Sequence, residues 1–419
     1  MPRQRSCPRC DVSIEHDERY PAWCPSCGWN LPVPQGKRSI SAVLADRLTA
    51  GLHADALRRG VDVPQGKVPR ALSYLFAGLI HLIAVSALAA AGWAVVTWPN
   101  VLGVLLGAFL LFVAWLMRPR LGRVPSGPLV LTRDAAPRLY DLTDRIGAEI
   151  GADQVDLVVV TPVFNASFEQ VGPRGRRVLT IGAPLWALLE PQQRVALLAH
   201  ELSHSSNGDS RHDRFTRTAL GALAAVHRAM RGAAGGGEYA AEAVPQSVLS
   251  VLALVLLIVM RVAGVVVRLV GLLLLVVTMR SARQAEYVAD ERSARIASSA
   301  AAAATLDLVA TGDVDVNELA WMSSALGPSV WEHLRERQAA VPDSELERRR
   351  RIEAMAQARL DDSHPLLPLR VEFVRSLPHD WPLIRLRDNE NEAIEAELAP
   401  LFDRLATELG ATKRHDSFA

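Results

Sequence analysis

Beyond residue 27 the chain contains no cysteine at all, so no disulfide framework can hold its main body together. Aromatic residues make up 5% of the chain, and charges nearly cancel, with a formal net charge of +1 over 419 residues. A balance this even gives no long-range field for attracting nucleic acid or a strongly acidic partner. The chain also lacks an early apolar run: the first begins near residue 71, so no signal peptide is expected at the start. What it has in excess is apolar residues, half of the total, gathered into a few long stretches.

The four cysteines read Cys7-Pro-Arg-Cys10 and Cys24-Pro-Ser-Cys27. Two such knuckles each offer two thiolates from one tight turn, the donor set of a closed tetrahedral zinc site. Residues 1–36 are therefore expected to form a zinc ribbon holding one structural zinc through Cys7, Cys10, Cys24 and Cys27, in a reducing compartment. Arg3, Arg5 and Arg9 are offset by Asp11, Glu15, Asp17 and Glu18, so the ribbon carries no basic stripe. No nucleic acid is expected, and the ribbon reads as structural or as a module that docks another protein.

Residues 37–70 read as a short amphipathic helix, with Ile40, Val43, Leu44, Leu48, Leu52 and Leu57 near one face, and a linker. Ala71–Val96 and Val101–Met117 carry no formal charge and together predict a transmembrane helical hairpin over 71–117. Trp93, Trp98 and Trp115 suit interfacial positions. His81 falls inside the first run and reads as a hydrogen-bonded residue between packed helices. Lys67, Arg70, Arg118, Arg120 and Arg123 flank the hairpin, which puts both its ends, and with them the ribbon and residues 127–419, on the cytoplasmic side of a cell membrane crossed more than once.

Residues 127–419 read as a globular domain. A helix is expected over 135–150, strands near 155–160, 164–168 and 177–181, and helices over 184–189 and 191–206. A basic helix over 213–231 should be followed by a break at Gly232–Gly237. Val248–Thr278 is apolar apart from Arg261 and Arg268.

His200-Glu201-Leu202-Ser203-His204 carries the chemistry. Positions i and i+4 share a helix face, so two imidazoles there can bind one zinc. Glu201 lies where it can take a proton from an attacking water and later give it to a leaving amine. A catalytic zinc needs a third protein ligand and one open position. Glu286 and Asp290, again i and i+4, are the candidates: one can ligate while the other hydrogen-bonds to a ligand. All three ligands must meet at one metal, so the apolar stretch between them cannot cross a membrane once and alone. It must cross zero times or twice, or be paired with a crossing by 213–231. A long helix that lies partly in the membrane surface, or packs against the first hairpin, would deliver the third ligand.

These motifs stand in the order found in the membrane zinc peptidases of the HtpX and CAAX prenyl protease family, which the chain resembles over roughly 130–375, with the HtpX-like branch closer. Asn165-Ala166-Ser167-Phe168, Leu179-Thr180-Ile181-Gly182 with Leu185, the 200–204 motif with Asn207-Gly208-Asp209, Glu286-Tyr287-Val288-Ala289-Asp290, and His364-Pro365 with Arg370 carry the resemblance. It implies an α+β gluzincin-type fold, mainly α with a small β-sheet. It implies Glu286 as third ligand, Asp290 and Asp209 as supports, and Asn165 and Ala166 beside the substrate groove. His364 would act as oxyanion or substrate donor, and Arg370 would orient the loop that carries it. The function expected is a zinc endopeptidase acting on membrane or misfolded proteins, with protein or peptide substrates and a lipid membrane as partners. The alternatives are a catalytically silent membrane scaffold, which would have no need of Glu201, and a binding protein tethered by its ribbon.

Overall fold

The computed structural model describes residues 3–32, 40–61, 67–206, 210–242, 248–312, 314–356 and 365–416. Asp209 and His364 lie outside these. The fold is mainly helical with two small sheets, in agreement with the class read from the sequence. The chain divides into two compact units. One gathers Met1–Val63, Arg123–Gly208 and Arg283–Ala419; the other gathers Pro64–Gly122 and Asp209–Ala282. Residues 209–282 thus cluster with the hairpin rather than with the rest of 127–419.

In the first unit, β1 (Arg3–Ser6) and β2 (Ser13–His16) pair antiparallel. Each cysteine knuckle then closes in the same way. Asp11 N–H donates to Cys7 O and Gly28 N–H to Cys24 O. Both closing residues take a left-handed φ, 57° and 68°, which glycine and aspartate tolerate best. Helix α1 (Ile40–Arg59) follows.

The larger sheet has the order β3 (Val130–Leu131), β4 (Leu157–Thr161), β6 (Arg176–Gly182), β5 (Ala166–Val171). β4 and β6 run parallel and the other pairs are antiparallel. Among the described residues β5 is therefore an edge strand. Gly182 has to be glycine: a Cβ there would lie 1.9 Å from the Val163 carbonyl oxygen and 2.4 Å from that of Asn165.

Alternating burial of Val158, Val160, Leu179 and Ile181 sends one sheet face into a core shared with α4 (Pro137–Ile150) and α6 (Pro191–Ser206). α5 (Ala183–Leu188), α9 (Ser299–Thr311), α10 (Val316–Leu326), α11 (Val330–Ala339), α12 (Asp343–Ala354), α13 (Leu367–Arg375) and α14 (Asp388–Asp416) complete this unit.

The second unit holds α2 (Lys67–Thr97), α3 (Val101–Leu116), α7 (Ser210–Glu242) and the apolar part of α8 (Val248–Ala297). Asn100 caps α3 by accepting from Gly103 N–H at 2.9 Å. Gly103 and Gly107 let the two hairpin helices meet closely, since a Cβ on Gly107 would lie 2.5 Å from Val95. The outward side chains are apolar, with Leu102 77% and Val85 63% exposed. Ala77, Ile80, Met117, Ala219, Leu223 and Leu274 form one buried cluster, so α7 and α8 pack with the hairpin. His81 sits between α2 and α7, its Nε2 3.3 Å from both Phe215 O and Thr218 Oγ1.

α2 is long and apolar enough to cross a membrane, and so is the stretch of α8 from Arg261. The expected break at Gly232–Gly237 does not occur: α7 runs through it to Glu242. A glycine costs a helix only about 1 kcal/mol, and a helix already nucleated gains a hydrogen bond with each residue added. α8 is one continuous helix of 50 residues, about 75 Å long at 1.5 Å per residue. It carries the apolar stretch at its start and Glu286 and Asp290 near its end.

Candidate metal centre

α6 is pinned by its apolar face. Val195, Ala196, Leu198, Ala199 and Leu202 are buried in the core of the first unit. That leaves His200 and His204 on another face, their rings 5.1 Å apart and nearly perpendicular. α8 crosses α6 where Ser293 Oγ donates to Ala196 O at 2.7 Å. About two turns earlier, Glu286 enters between the imidazoles. Its Oε2 lies 3.5 Å from His200 Nε2 and its Oε1 lies 3.5 Å from His204 Nε2. Ligand atoms of all three residues lie within 4.8 Å of one another.

Those separations test the fit to a metal. A tetrahedral zinc with nitrogen and oxygen ligands at ~2.1 Å sets neighbouring ligand atoms ~3.4 Å apart. The donor set of two imidazoles and one carboxylate at this spacing fits zinc and leaves a fourth position open.

A shell of hydrogen bonds stands behind the donors. Asp290 Oδ1 is 3.1 Å from His200 Nδ1, the arrangement that holds a proton on Nδ1 and leaves Nε2 as the nitrogen available to a metal. Arg370 grips Asp290 with a two-pronged fork, Nε to Oδ2 at 2.8 Å and Nη2 to Oδ1 at 2.7 Å. Its Nη1 also lies 3.2 Å from Glu286 Oε2. Glu286, Asp290 and Arg370 are all at least 95% buried. Burial disfavours the carboxylate of Asp290, but the Arg370 guanidinium and the His200 hydrogen bond outweigh it and hold its pKa below the ordinary value. Burial likewise works against a charged His200, yet the hydrogen bonds it donates to Asp290 and Glu286 raise it to about 10. A metal ion held through His200 Nε2 would take the place of that nitrogen's proton. Glu201 adds to the negative potential felt by Arg370.

Arg370 thus touches Asp290, Glu286 and His200; the loop before Pro365, which the resemblance has it orient, lies outside the described residues. Asp209 and His364, expected as a support and an oxyanion donor, fall outside the described residues. Asn165 and Ala166 lie at the start of edge strand β5. Asn165 O accepts from Gly182 N–H at 2.8 Å, and Ala166 is buried against Leu185, Leu189 and Leu197.

The cysteine cluster passes the same test. Cys7 and Cys27 Sγ are 3.7 Å apart, Cys10 and Cys24 Sγ 3.6 Å, and all four lie within 4.8 Å. Thiolates at ~2.3 Å from a tetrahedral zinc would be ~3.8 Å apart. Desolvation pushes the Cys24 thiol up, but backbone N–H groups of Cys27 and Ser26 overcome this and bring it down to about 6.

The ribbon rests on the same unit's helices. Trp23 Nε1 donates to Ser344 O at 3.1 Å, Arg19 Nη2 to Ala340 O at 3.1 Å, and Arg351 Nη1 to Pro25 O at 2.5 Å. A cavity of about 340 Å³ lies beside this contact, lined by Arg19, Tyr20, Glu318, Arg337 and Arg349 among others, and includes none of the metal-cluster residues.

With this geometry in hand, comparison with known proteins identifies a family: the model of peptidase family M48 matches residues 137–377. No curated protein and no solved structure matches the chain.

Proposed function

This chain belongs to peptidase family M48, and on that premise we propose that it is a membrane-anchored zinc endopeptidase of the HtpX-like branch. Peptidases of this family are zinc-dependent and act on proteins or peptides. His200, His204 and Glu286 would hold the zinc. The observation that carries this is the pair of 3.5 Å separations between Glu286 and the two imidazoles. When bound, zinc supplies a Lewis acid that makes water nucleophilic at neutral pH and polarises the scissile carbonyl.

The chain's own groups do the rest. Glu201 Oε takes the water's proton and returns it to the leaving amine nitrogen. Asp290 fixes His200 in the tautomer that presents Nε2, and Arg370 fixes Asp290. By resemblance, Asp209 supports the metal helix and His364 stabilises the oxyanion. The substrate is bound extended along β5 from Asn165 and Ala166, through backbone hydrogen bonds that tolerate varied side chains. This suits membrane or misfolded proteins. A second, structural zinc sits in the ribbon.

The anchor is the hairpin of α2 and α3, together with α7 and α8 as an outgoing and returning pair. That pairing keeps His200, His204 and Glu286 on one face of the membrane, with the ribbon, in the cytoplasm. Support for it comes from the shared apolar cluster of these four helices.

Glu201→Gln tests the reading. The variant should keep its zinc and lose cleavage of casein or of a model membrane protein by a hundredfold or more, the usual loss with a general base. Unchanged cleavage by the pure variant would refute the assignment.

A further inference from the structure

Helix α1 lies outside the stretch matched by the family, 137–377, yet it is packed into the back of the metal centre. Among its described side chains the buried ones are Ala45, Thr49, His53 and Ala56, which share one helical stripe. Thr49 and Ala45 engage α8: Arg283 Nη1 donates to Thr49 Oγ1, and to Ala45 O at 3.2 Å. His53 bridges two helices at once. Its Nδ1 lies 3.3 Å from Tyr287 Oη on α8, and its Nε2 lies 3.2 Å from Glu372 Oε2 on α13. The Tyr287 ring in turn meets Phe373 of α13 edge to face, centroids 5.1 Å apart.

The spacing along α8 gives these contacts their meaning. Arg283 and Tyr287 are four residues apart, and so are Glu286 and Asp290. At 3.6 residues per turn the two stripes lie about 60° apart round the helix. One stripe is held by α1 and the other meets His200, His204 and Arg370. A rotation of α8 about its axis therefore cannot alter the grip of α1 without moving the Glu286 carboxylate. α13 is held in the same manner, with Glu372 toward His53 and Arg370 toward Asp290.

We propose that His53 and Thr49 are positioning residues of the peptidase: through Tyr287, Glu372 and Arg283 they set the rotation of α8 and α13, and so the placement of Glu286, Asp290 and Arg370 at the metal. This rests on the reading of His200, His204 and Glu286 as the zinc ligands.

The test uses the full-length chain in detergent or lipid. Zinc retained per chain is measured across a graded series of chelators, alongside kcat and KM. The wild type should release its two zincs in separate steps. If no step is lost on mutating His204, the ligand reading itself fails and the proposal falls with it. Given that step, His53→Ala should shift it to a weaker chelator by roughly 10- to 100-fold, the range typical of groups that orient metal ligands. It should lower kcat with little change in KM and leave the ribbon step in place. His53→Gln, which can still bond to Tyr287 and Glu372, should recover most of both. Glu372→Ala, at a side chain 63% exposed, removes one arm of the bridge without a core cavity. It carries the test if His53→Ala does not fold, with a smaller shift in the same direction. Unshifted zinc release and unchanged kcat in the folded variants would overturn the proposal. So would a loss in His53→Ala that follows global unfolding and that Gln does not recover.

Discussion

Cys7, Cys10, Cys24 and Cys27 close their cluster from two short turns near the chain's start, whereas His200, His204 and Glu286 come from two helices with α7 and most of α8 between them. The first cluster is local, all sulfur and four-sided. The second is assembled from distant segments, has three donors, and is backed by Asp290 and Arg370. A closed set with no open position suits a structural metal, and an open set suits catalysis. The difference also has an energetic side. Two tight turns can bring four thiolates together with little else folded, but Glu286 reaches the imidazoles only when α6, α8 and α13 are packed. Local structure should therefore decide the ribbon's metal, and the core of the first unit should decide the other.

Removing a donor from each cluster separates them most sharply. Glu286→Ala should abolish cleavage and lower bound zinc by one equivalent, while the ribbon keeps its own. Cys24→Ser should lose the other equivalent and retain measurable cleavage. Metal analysis of both variants checks this; loss of both zincs in either would show that the clusters are not independent. A smaller effect is expected behind the open site. Asp290→Asn keeps the shape but gives up the charge that faces His200 and Arg370, and should reduce zinc affinity or kcat by roughly 10- to 100-fold. Chelator competition measures it, and wild-type affinity would mean that Asp290 does not orient His200.

The smallest effect concerns the seat of the ribbon. Glu345, 3% exposed, accepts from Arg348 at 2.6 Å and from Arg349 at 3.0 Å on α12. Burial alone would raise its pKa, but the two arginines outweigh burial and hold it below the ordinary 4.5. A depressed carboxylate contributes stability that is present above the unfolded value and is lost as pH falls through the folded one. Glu345→Gln should thus cost about 1–3 kcal/mol at neutral pH, and the difference from wild type should shrink below pH 4.5. Thermal melts across pH test this, and a gap that does not change with pH would contradict the ion-pair account.

How far the sequence could be read follows the same division. The Cys-x-x-Cys knuckles, the 200–204 motif and the uncharged hairpin are patterns within a few turns of chain, and spacing alone exposes them. Glu286 was legible in two steps: Glu286 and Asp290 repeat the i, i+4 logic of the histidines, which left both as candidates, and the resemblance to the HtpX-like peptidases singled out Glu286. The contacts of Arg370 were not, since nothing in its neighbourhood names Asp290 as the partner. The face of α1 was legible in part. Leu52 packs against the core of the first unit and Val43 and Leu48 are half-buried, but Leu57 is 40% exposed, and the fully buried positions among the described side chains are Ala45, Thr49, His53 and Ala56. Small residues permit close helix approach, and hydroxyl and imidazole groups find partners there, so hydrophobicity alone did not pick out the closest contacts. The run through Gly232–Gly237 went unseen because local propensity was weighed without the helix that precedes it. The ribbon's seat on α12 and on the turn between α11 and α12 rests on backbone acceptors such as Ser344 O and Ala340 O, which carry no signature in side-chain sequence.

Zinc X-ray absorption on the purified full-length chain, with metal counted per chain, tests the two-cluster account most directly. The account predicts two zincs, and an averaged shell containing both sulfur near 2.3 Å and nitrogen or oxygen near 2.0–2.1 Å, with the light-atom part vanishing in His204→Ala. A single zinc in an all-sulfur shell would contradict the assignment of His200, His204 and Glu286 as a metal centre.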